Sequence, residues 1–322
     1  MIKYLFTFFI SIILSSLIFT EDCLDGRYID EIFDVNVQYD VQYGENTNET
    51  FIGSSYTQTL YMDVYEPEGD NFLDRPLIIF MFGGAFIGGA KNSPDIVDLC
   101  TNYASRGYVA AAIDYRLTTN LVLNPSSEKA YEAVIKAIQD LKASIRYFRM
   151  NDELYDDFRI DSDRIYAGGV SAGAIASLNS AYLNTEEEAL MLVTADHLEE
   201  LGGLEGDSGN PGYDSNVYGI VNLCGAIGEY EWIDQPDVPI VSMHGDQDST
   251  VPYSDNSVTL FGLDVQVYGS YIIHQTMLEL GNYSALHTYE GQDHVPFTSN
   301  MALESEFSSE FLYEIVCGDS DL

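Results

Sequence analysis

The sequence predicts an α/β protein with one mostly parallel central sheet and helices on both of its faces. Two observations carry this prediction. Apolar runs of strand length alternate with longer segments of helical periodicity, as at 76–82 and then 95–106. The apolar runs are also continuous, which is typical of strands covered on both faces. Strands that alternate with helices pair in parallel through right-handed crossovers, so helices cover both faces.

The predicted elements follow one another in a regular order. Residues 33–43 and 57–65 alternate and are rich in aromatic residues, which indicates antiparallel strands at a sheet edge. Buried strands are predicted at 76–82, 108–114, 164–170, 218–224, 238–243 and 285–289. Helices are predicted at 95–106, at 127–150, after Ser171 and at 268–280.

The segment 185–216 departs from this alternation of strands and helices, because an acidic helix is followed by a loop rich in Gly, Asp and Asn. We interpret it as a small excursion from the domain. Asp207, Asn210 and Asp214 carry side chains that calcium accepts, but their spacing does not match the twelve-residue calcium loop. A solvated loop is the simpler interpretation.

The first 20 residues predict a secretory signal peptide. Lys3 precedes an almost unbroken apolar run, and the charged pair Glu21-Asp22 follows it. A single membrane anchor is the alternative, since no small-x-small cleavage site is present. We therefore expect a secreted protein in which residues 21–322 form a single domain, with no stable membrane association once the leader is removed. A chain of 322 residues suits one large α/β domain.

The net charge of the chain disfavours some classes of binding partner, and the number of cysteines bears on disulfide formation. The chain has 13 Lys and Arg against 52 Asp and Glu, a formal net charge of −39, which makes nucleic acid a very poor partner and disfavours polyanionic substrates. Four cysteines are consistent with two disulfides in an oxidising compartment, with the pairing open: Cys23, Cys100, Cys224 and Cys317. Cys224 lies in an apolar run, so a buried thiol is the alternative there.

Ser171 lies in the pattern Gly169-x-Ser171-x-Gly173, between a buried strand and a helix of small residues. Such a turn holds a nucleophilic hydroxyl clear of the sheet edge, and the two glycines keep side chains away from the neighbouring strand and helix. The N–H groups at the start of the helix point at the same place and favour an anion there. The pattern is frequent by chance, so the prediction of a nucleophile depends on the rest of the chain.

A serine nucleophile needs a base, and the base needs a carboxylate to orient it. Of the five His, His294 lies in a loop just beyond the last strand, at the edge where parallel strands end and ligands bind. His244 ends a strand, and we interpret it as packing the turn. Local chemistry leaves both Asp246 and Asp248 open as the carboxylate, while Asp293 is expected to brace the loop.

Backbone donors for an oxyanion are predicted at two places. Ala172 follows the nucleophile, and Gly84 and Ala85 follow the strand at 76–82, where small residues let the backbone approach a substrate. A phosphate cradle at 83–89 is the alternative. That segment has neither the Gly-x-Gly-x-x-Gly pattern nor a Gly-Lys-Ser/Thr ending, so we discount it.

Five motifs together resemble those of the α/β-hydrolase superfamily, and within it the carboxylesterases of the hormone-sensitive-lipase and acetylxylan/feruloyl-esterase-like groups. They are Phe82-Gly83-Gly84-Ala85-Phe86, Asp114-Tyr115-Arg116-Leu117, Gly169-Val170-Ser171-Ala172-Gly173, His244-Gly245-Asp246-Gln247-Asp248-Ser249-Thr250-Val251-Pro252 and Gly291-Gln292-Asp293-His294. The resemblance spans residues 77–296 and selects Asp248 over Asp246.

The resemblance implies a serine esterase with Ser171, Asp248 and His294 as its triad, and no metal or organic cofactor. It implies an acyl-enzyme mechanism on neutral acyl or aromatic esters, with polymer-linked esters of polysaccharides or polyesters among the candidates. A prolyl-oligopeptidase-type serine peptidase is one alternative, but it normally carries a gating domain for which no length is present. A non-catalytic binding module of the same fold is another, but such modules usually lack a triad member.

Two departures from the family pattern concern the substrate. Phe82 stands where the family usually has His, and we expect it to preserve the backbone donors of the oxyanion loop. Only residues 225–237 separate two strands where many relatives insert a lid, which predicts little or no lid. Phe86, Tyr230 and Trp232 are predicted to form an aromatic wall that stacks on the substrate. Packing aromatics in a chain with 24 Tyr are the alternative interpretation.

Overall fold

The computed structural model describes Cys23 and residues 25–260, 262–297 and 301–318. The predicted leader, residues 1–20, lies outside this part of the chain. Among the described residues, no helix combines the length and the apolar character needed to cross a bilayer.

Eleven strands occur in the described residues: β1 (Val35–Glu49), β2 (Ser55–Pro67), β3 (Arg75–Met81), β4 (Val109–Ile113), β5 (Ile160–Val170), β6 (Gly219–Leu223), β7 (Ala226–Ile227), β8 (Ile240–Gly245), β9 (Asp255–Leu260), β10 (Leu263–Gly269) and β11 (Ser284–Tyr289). Eight of them form the central sheet, in the order β1-β2-β4-β3-β5-β6-β8-β11. The pairs β1–β2 and β2–β4 are antiparallel, and the remaining pairs are parallel. The predicted sheet and its antiparallel edge are confirmed.

The described helices are α1 (Pro94–Ser105), α2 (Ser127–Leu154), α3 (Ala172–Tyr182), α4 (Glu186–Ala189), α5 (Ala195–Glu200), α6 (Ser270–Leu280) and α7 (Ala302–Cys317). In the sheet, β4 lies on one side of β3 and β5 lies on the other side. The connection from β3 to β4 and the connection from β4 to β5 therefore run in opposite directions across the sheet. Right-handed crossovers therefore place α1 and α2 on opposite faces. Each face has a second helix, since α1 packs on α7 and α2 packs on α3. Covered on both sides, β3 and β4 are buried along their whole length.

A second sheet, which the sequence does not predict, consists of three antiparallel strands in the order β7-β10-β9. In the hairpin of β9 and β10, Val258 pairs with Val265, and these valines and Val267 are buried. The neighbouring Thr259 and Asp264 are exposed. The connection 225–237 holds only β7 and a short 3₁₀ turn at Tyr230–Trp232, so the described residues contain no helical lid there.

One disulfide forms, not the two that the cysteine count predicts. Cys23 bonds to Cys317, with a Cα–Cα distance of 5.8 Å across 294 residues of sequence. Cys100 and Cys224 are buried free thiols. Cys100 lies on α1, which packs on β2, β3 and β4, whereas Cys224 follows β6, two strands beyond β3 in the sheet. The alternative interpretation of Cys224 as a buried thiol is confirmed.

The segment 185–216 contains α4, α5 and a loop that follows them. Two of the three candidate calcium ligands, Asn210 and Asp214, contact protein groups. Asn210 donates from Nδ2 to the Tyr43 carbonyl oxygen at 2.8 Å, and Asp214 lies 3.7 Å from the Arg149 guanidinium. These contacts join the loop to β1 and α2.

Candidate active site

Ser171 occupies a strained turn between β5 and α3. Its φ is 55° and its ψ is −115°, a conformation that a non-glycine residue adopts only when the surroundings enforce it. Its backbone N–H donates to the Leu223 carbonyl oxygen of β6 at 2.8 Å. A Cβ on Gly169 or Gly173 would lie only 2.7 Å or 2.1 Å from the Met81 carbonyl oxygen. Both positions therefore require glycine, and the turn is held between two strands.

The structure brings the three predicted triad side chains into one hydrogen-bonded line. The Ser171 hydroxyl donates to Nε2 of His294 at 2.9 Å, and Nδ1 of His294 donates to Oδ2 of Asp248 at 2.6 Å. Asp248 follows β8 and His294 follows β11, and these two strands are neighbours in the sheet. The meeting point is the carboxyl edge of the parallel strands, as the loop positions predict.

The side chain of Asp248 is buried, and both of its carboxylate oxygens accept hydrogen bonds. Its Oδ1 accepts the backbone N–H groups of Thr250 at 2.8 Å and Val251 at 2.9 Å, while Oδ2 accepts His294 and also Nε2 of His244 at 3.1 Å. Burial by itself would raise the pKa of Asp248, but the hydrogen bonds from His244, His294 and the Thr250 N–H together lower it well below its ordinary value. The group is therefore a carboxylate at neutral pH.

The two other candidate carboxylates brace loops. Oδ1 of Asp246 accepts the Gly291 N–H at 2.6 Å, and Oδ1 of Asp293 accepts the N–H groups of Ser249 at 2.8 Å and His294 at 2.7 Å. Both aspartates thus fasten the loop after β8 to the loop after β11. Neither of these contacts involves the imidazole of His294.

His244 is a residue that the sequence interpretation underestimated. Its side chain is fully buried, and Nε2 faces only acceptors, Oδ2 of Asp248 and the Val251 carbonyl oxygen at 3.0 Å, so Nε2 carries the proton. Ser270 Oγ, 2.7 Å from Nδ1, accepts from Nδ2 of Asn222 and so donates its own proton to Nδ1. His244 therefore donates from Nε2 to Asp248. Its position four residues before Asp248 is the sequence signal for this contact.

Cys224 lies beside the triad, because its Sγ and ligand atoms of Asp248 and His294 are all within 4.8 Å of one another. Burial raises the pKa of the Cys224 thiol to about 12, so it is a neutral thiol at physiological pH. A neutral thiol packs as a small apolar group and is a poor metal ligand. We therefore interpret Cys224 as packing support for the triad.

The predicted oxyanion donors line the loop opposite Ser171. Gly84 and Ala85 have positive φ values of 126° and 52°, and neither N–H donates to another described residue. The N–H of Ala172 lies in the first turn of α3, where no intrahelical acceptor exists. A Cβ on Gly83 would lie 3.3 Å from Cβ of Ser171, so this loop directly abuts the nucleophile. These groups can donate to an oxygen at the serine.

Phe82 supports this loop from below. Its ring is 1% exposed and stacks on Tyr115 with centroids 4.3 Å apart, and the Tyr115 hydroxyl donates to the Phe82 carbonyl oxygen at 2.9 Å. The ring also fills the space beside Gly89, where an added Cβ would meet it at 2.4 Å. An aromatic residue here acts as a scaffold for the loop backbone.

The three predicted substrate-binding aromatics are not gathered on one surface. Trp232 is only 3% exposed and belongs to the core, and Tyr230 packs its ring against Tyr268 at 4.9 Å. Phe86 lines a cavity beside the site, but neither Tyr230 nor Trp232 is among the residues that line it. The contacts of Trp232 therefore favour the packing interpretation.

Comparison with known proteins gives two findings. The BD-FAE family model matches residues 62–227, just over half of the 322 residues. Among solved structures, the apo form of Thermogutta terrifontis esterase 2 is 22% identical with a TM-score of 0.59, over 80% of this chain and 90% of that chain. The same esterase phosphorylated by paraoxon is 21% identical with a TM-score of 0.59, over 84% of this chain and 94% of that chain. The structural likeness shows the fold.

Proposed function

The chain belongs to the BD-FAE family of esterase-like α/β hydrolases, and from this premise we propose that it cleaves carboxylic esters through an acyl-enzyme on Ser171. The observation that carries the proposal is the line from the Ser171 hydroxyl through His294 to Asp248, with distances of 2.9 Å and 2.6 Å. A hydroxyl in such a line becomes a nucleophile because a base accepts its proton as the bond forms.

In the first half of the reaction, Ser171 Oγ attacks the carbonyl carbon of the ester while Nε2 of His294 takes the hydroxyl proton. The carbonyl oxygen becomes an oxyanion and accepts hydrogen bonds from the N–H groups of Gly84, Ala85 and Ala172. Collapse of this intermediate breaks the ester bond, and His294 gives its proton to the departing alcohol. The product of this half is an acyl group on Ser171.

The second half repeats the chemistry with water as the nucleophile. Nε2 of His294 accepts a proton from the water as it attacks the acyl carbon, and the same backbone donors hold the second oxyanion. Collapse releases the carboxylic acid, and the proton returns to Ser171. Asp248 holds His294 in the required tautomer and stabilises its charged form, but does not itself take the proton.

His244 acts in this scheme as a positioning residue. His244→Leu removes one donor from Asp248, so we expect kcat to fall about tenfold, which corresponds to one hydrogen bond to a charged group. The acid limb of the pH profile of kcat/KM should move to higher pH. A carboxylate with one donor fewer stabilises the charged form of His294 more strongly, and His294 in that form cannot act as the base. His244→Gln places an amide N–H near the position of Nε2 and should restore most of both values. A profile that does not move in the Leu variant would contradict this role.

Secretion as a single domain of residues 21–322 is part of the same proposal. The Cys23–Cys317 disulfide supports it, because such bonds persist in oxidising compartments. Neutral substrates are the natural complement to a net charge of −39, which repels anionic ones. Propionate and butyrate are bound in two of the T. terrifontis esterase 2 structures, which supports short acyl groups.

The proposal is tested by a fluorophosphonate probe, which labels activated serines. Wild type should be labelled, and Ser171→Ala should lose the label while keeping its thermal unfolding midpoint. In a panel of p-nitrophenyl, feruloyl and acetyl-xylan esters, at least one ester should be hydrolysed, whereas peptide anilides should not be. Labelling that persists in Ser171→Ala, or faster cleavage of the anilides, would refute the proposal and favour another nucleophile or a peptidase.

A further inference from the structure

An apolar cavity of about 120 Å³ lies beside the active site. Its walls come from α2, α3, the residues around β7 and the hairpin of β9 and β10. Phe86, Ile175, Ala226, Val265 and Val267 represent these walls. An engineered apolar cavity of about 150 Å³ is large enough to hold benzene, so this one is of ligand size.

Two wall residues connect the cavity to the reacting groups. Phe86 directly follows Ala85 in the oxyanion loop, and its carbonyl oxygen is fixed by the Thr118 N–H at 2.8 Å. Ile175 lies four residues after Ser171 on α3 and donates its N–H to the Ser171 carbonyl oxygen at 2.9 Å. Four helical residues rise about 6 Å, so the cavity begins about one helical turn from the nucleophile. The cavity is therefore adjacent to the oxyanion loop and to the first turn of the helix that follows the nucleophile.

The hairpin of β9 and β10 roofs the cavity. Its buried side consists of Val258, Val265 and Val267, which pack in one cluster with Ala130 of α2 and Ala226 of β7. The register Val265↔Val258 places these side chains together on the inner side of the hairpin. The roof therefore offers methyl groups to the cavity.

The polar groups in the cavity wall do not favour a polar ligand. Asn179 has its amide satisfied, since Nδ2 donates to the Ile175 carbonyl oxygen at 2.7 Å and Oδ1 accepts the Gly228 N–H at 3.2 Å. Glu229, also in the wall, would repel an acyl group that carries a negative charge. Gln266, another wall residue, donates from Nε2 to Oδ1 of Asp255 at 2.6 Å, and most of the other wall residues are apolar.

We infer that this cavity is the acyl site of the enzyme and that it takes an unbranched aliphatic acyl chain of about four to six carbons, the size that the volume allows. The inference rests on the proposed esterase function and narrows its substrate class. An aromatic acyl group of feruloyl size exceeds the cavity and is a poor substrate on this account. The triad side chains contact only the ester group, which aliphatic and feruloyl esters share. The hairpin that roofs the cavity therefore sets the preference for the acyl group.

The test compares p-nitrophenyl acetate, butyrate, hexanoate and octanoate, together with a feruloyl ester, by kcat/KM. Wild type should prefer butyrate or hexanoate over both acetate and the feruloyl ester. Val267→Phe fills the cavity from the roof and should lower kcat/KM for hexanoate by about tenfold or more relative to acetate, because loss of apolar burial removes transition-state binding. Thr259→Phe adds the same bulk to the exposed side of the hairpin and should leave the ratio unchanged.

Val267→Ala serves as the second variant, and it should move the optimum toward octanoate even if Val267→Phe fails to fold. An unchanged chain-length profile in Val267→Ala, or a wild-type preference for the feruloyl ester, would overturn the inference. Failure of the esterase proposal looks different, because then no ester is hydrolysed and Ser171 is not labelled by a fluorophosphonate.

Discussion

Asp248→Asn is expected to lower kcat by about 10⁴-fold while the protein stays folded, by analogy with the orienting carboxylate of other triads. The carboxylate has two oxygens, and each accepts two N–H groups: Oδ1 from Thr250 and Val251, Oδ2 from His244 and His294. Asparagine has only one amide oxygen. Its NH₂ group must face either the backbone donors or the two imidazoles, so His294 loses its acceptor or the loop loses its brace.

Asp246→Asn is the matched control for this experiment. Asparagine keeps an oxygen for the Gly291 N–H, so kcat should stay within a few-fold of wild type. Steady-state kinetics on one p-nitrophenyl ester, with circular dichroism to verify the fold, measure both variants. The roles of the two aspartates would have to be exchanged if Asp246→Asn proved the inactive one.

Gly173→Ala is expected to have the second-largest effect, on stability and activity together. The new Cβ would lie 2.1 Å from the Met81 carbonyl oxygen and 2.5 Å from its carbon, so α3 must move away from β3. Overpacking of this kind costs about 1–3 kcal/mol or more of unfolding free energy, and a shift of about 1 Å at the nucleophile costs about 10²-fold in rate.

Gly88→Ala is the control, because it also replaces a glycine near the active site but a Cβ there would meet nothing within 4 Å. Urea unfolding and kcat/KM should separate the two variants clearly. Wild-type values for Gly173→Ala in both measurements would contradict the close packing of α3 on β3.

The central sheet and the candidate triad could be predicted from the sequence because each depends on a local pattern. The apolar run of β3 predicts a strand covered on both faces, and the glycines around Ser171 predict the tight turn. Loop position alone selected His294 among the five His. The choice of Asp248 over Asp246 needed the family resemblance, and the two residues indeed make different contacts in the structure.

Other features depend on contacts between distant segments, which a single sequence does not reveal. The hairpin of β9 and β10 alternates apolar and polar residues on both sides of Gly262, a pattern typical of a strand pair that the sequence interpretation did not use. The contact of His244 with Ser270 joins β8 to α6. Trp232 is predicted to stack on the substrate, yet its ring is buried in the core. An even number of cysteines is consistent with two bonds, but Cys100 on α1 and Cys224 after β6 are both free thiols.

The bond between Cys23 and Cys317 encloses the whole catalytic apparatus in one covalent ring of 294 residues' separation. A protease that cuts any surface loop within this ring opens the backbone but releases no fragment. The cut protein would still run as one band on a gel without reductant and as two bands with it. The disulfide therefore lets a nicked molecule keep Ser171 and His294 attached to each other.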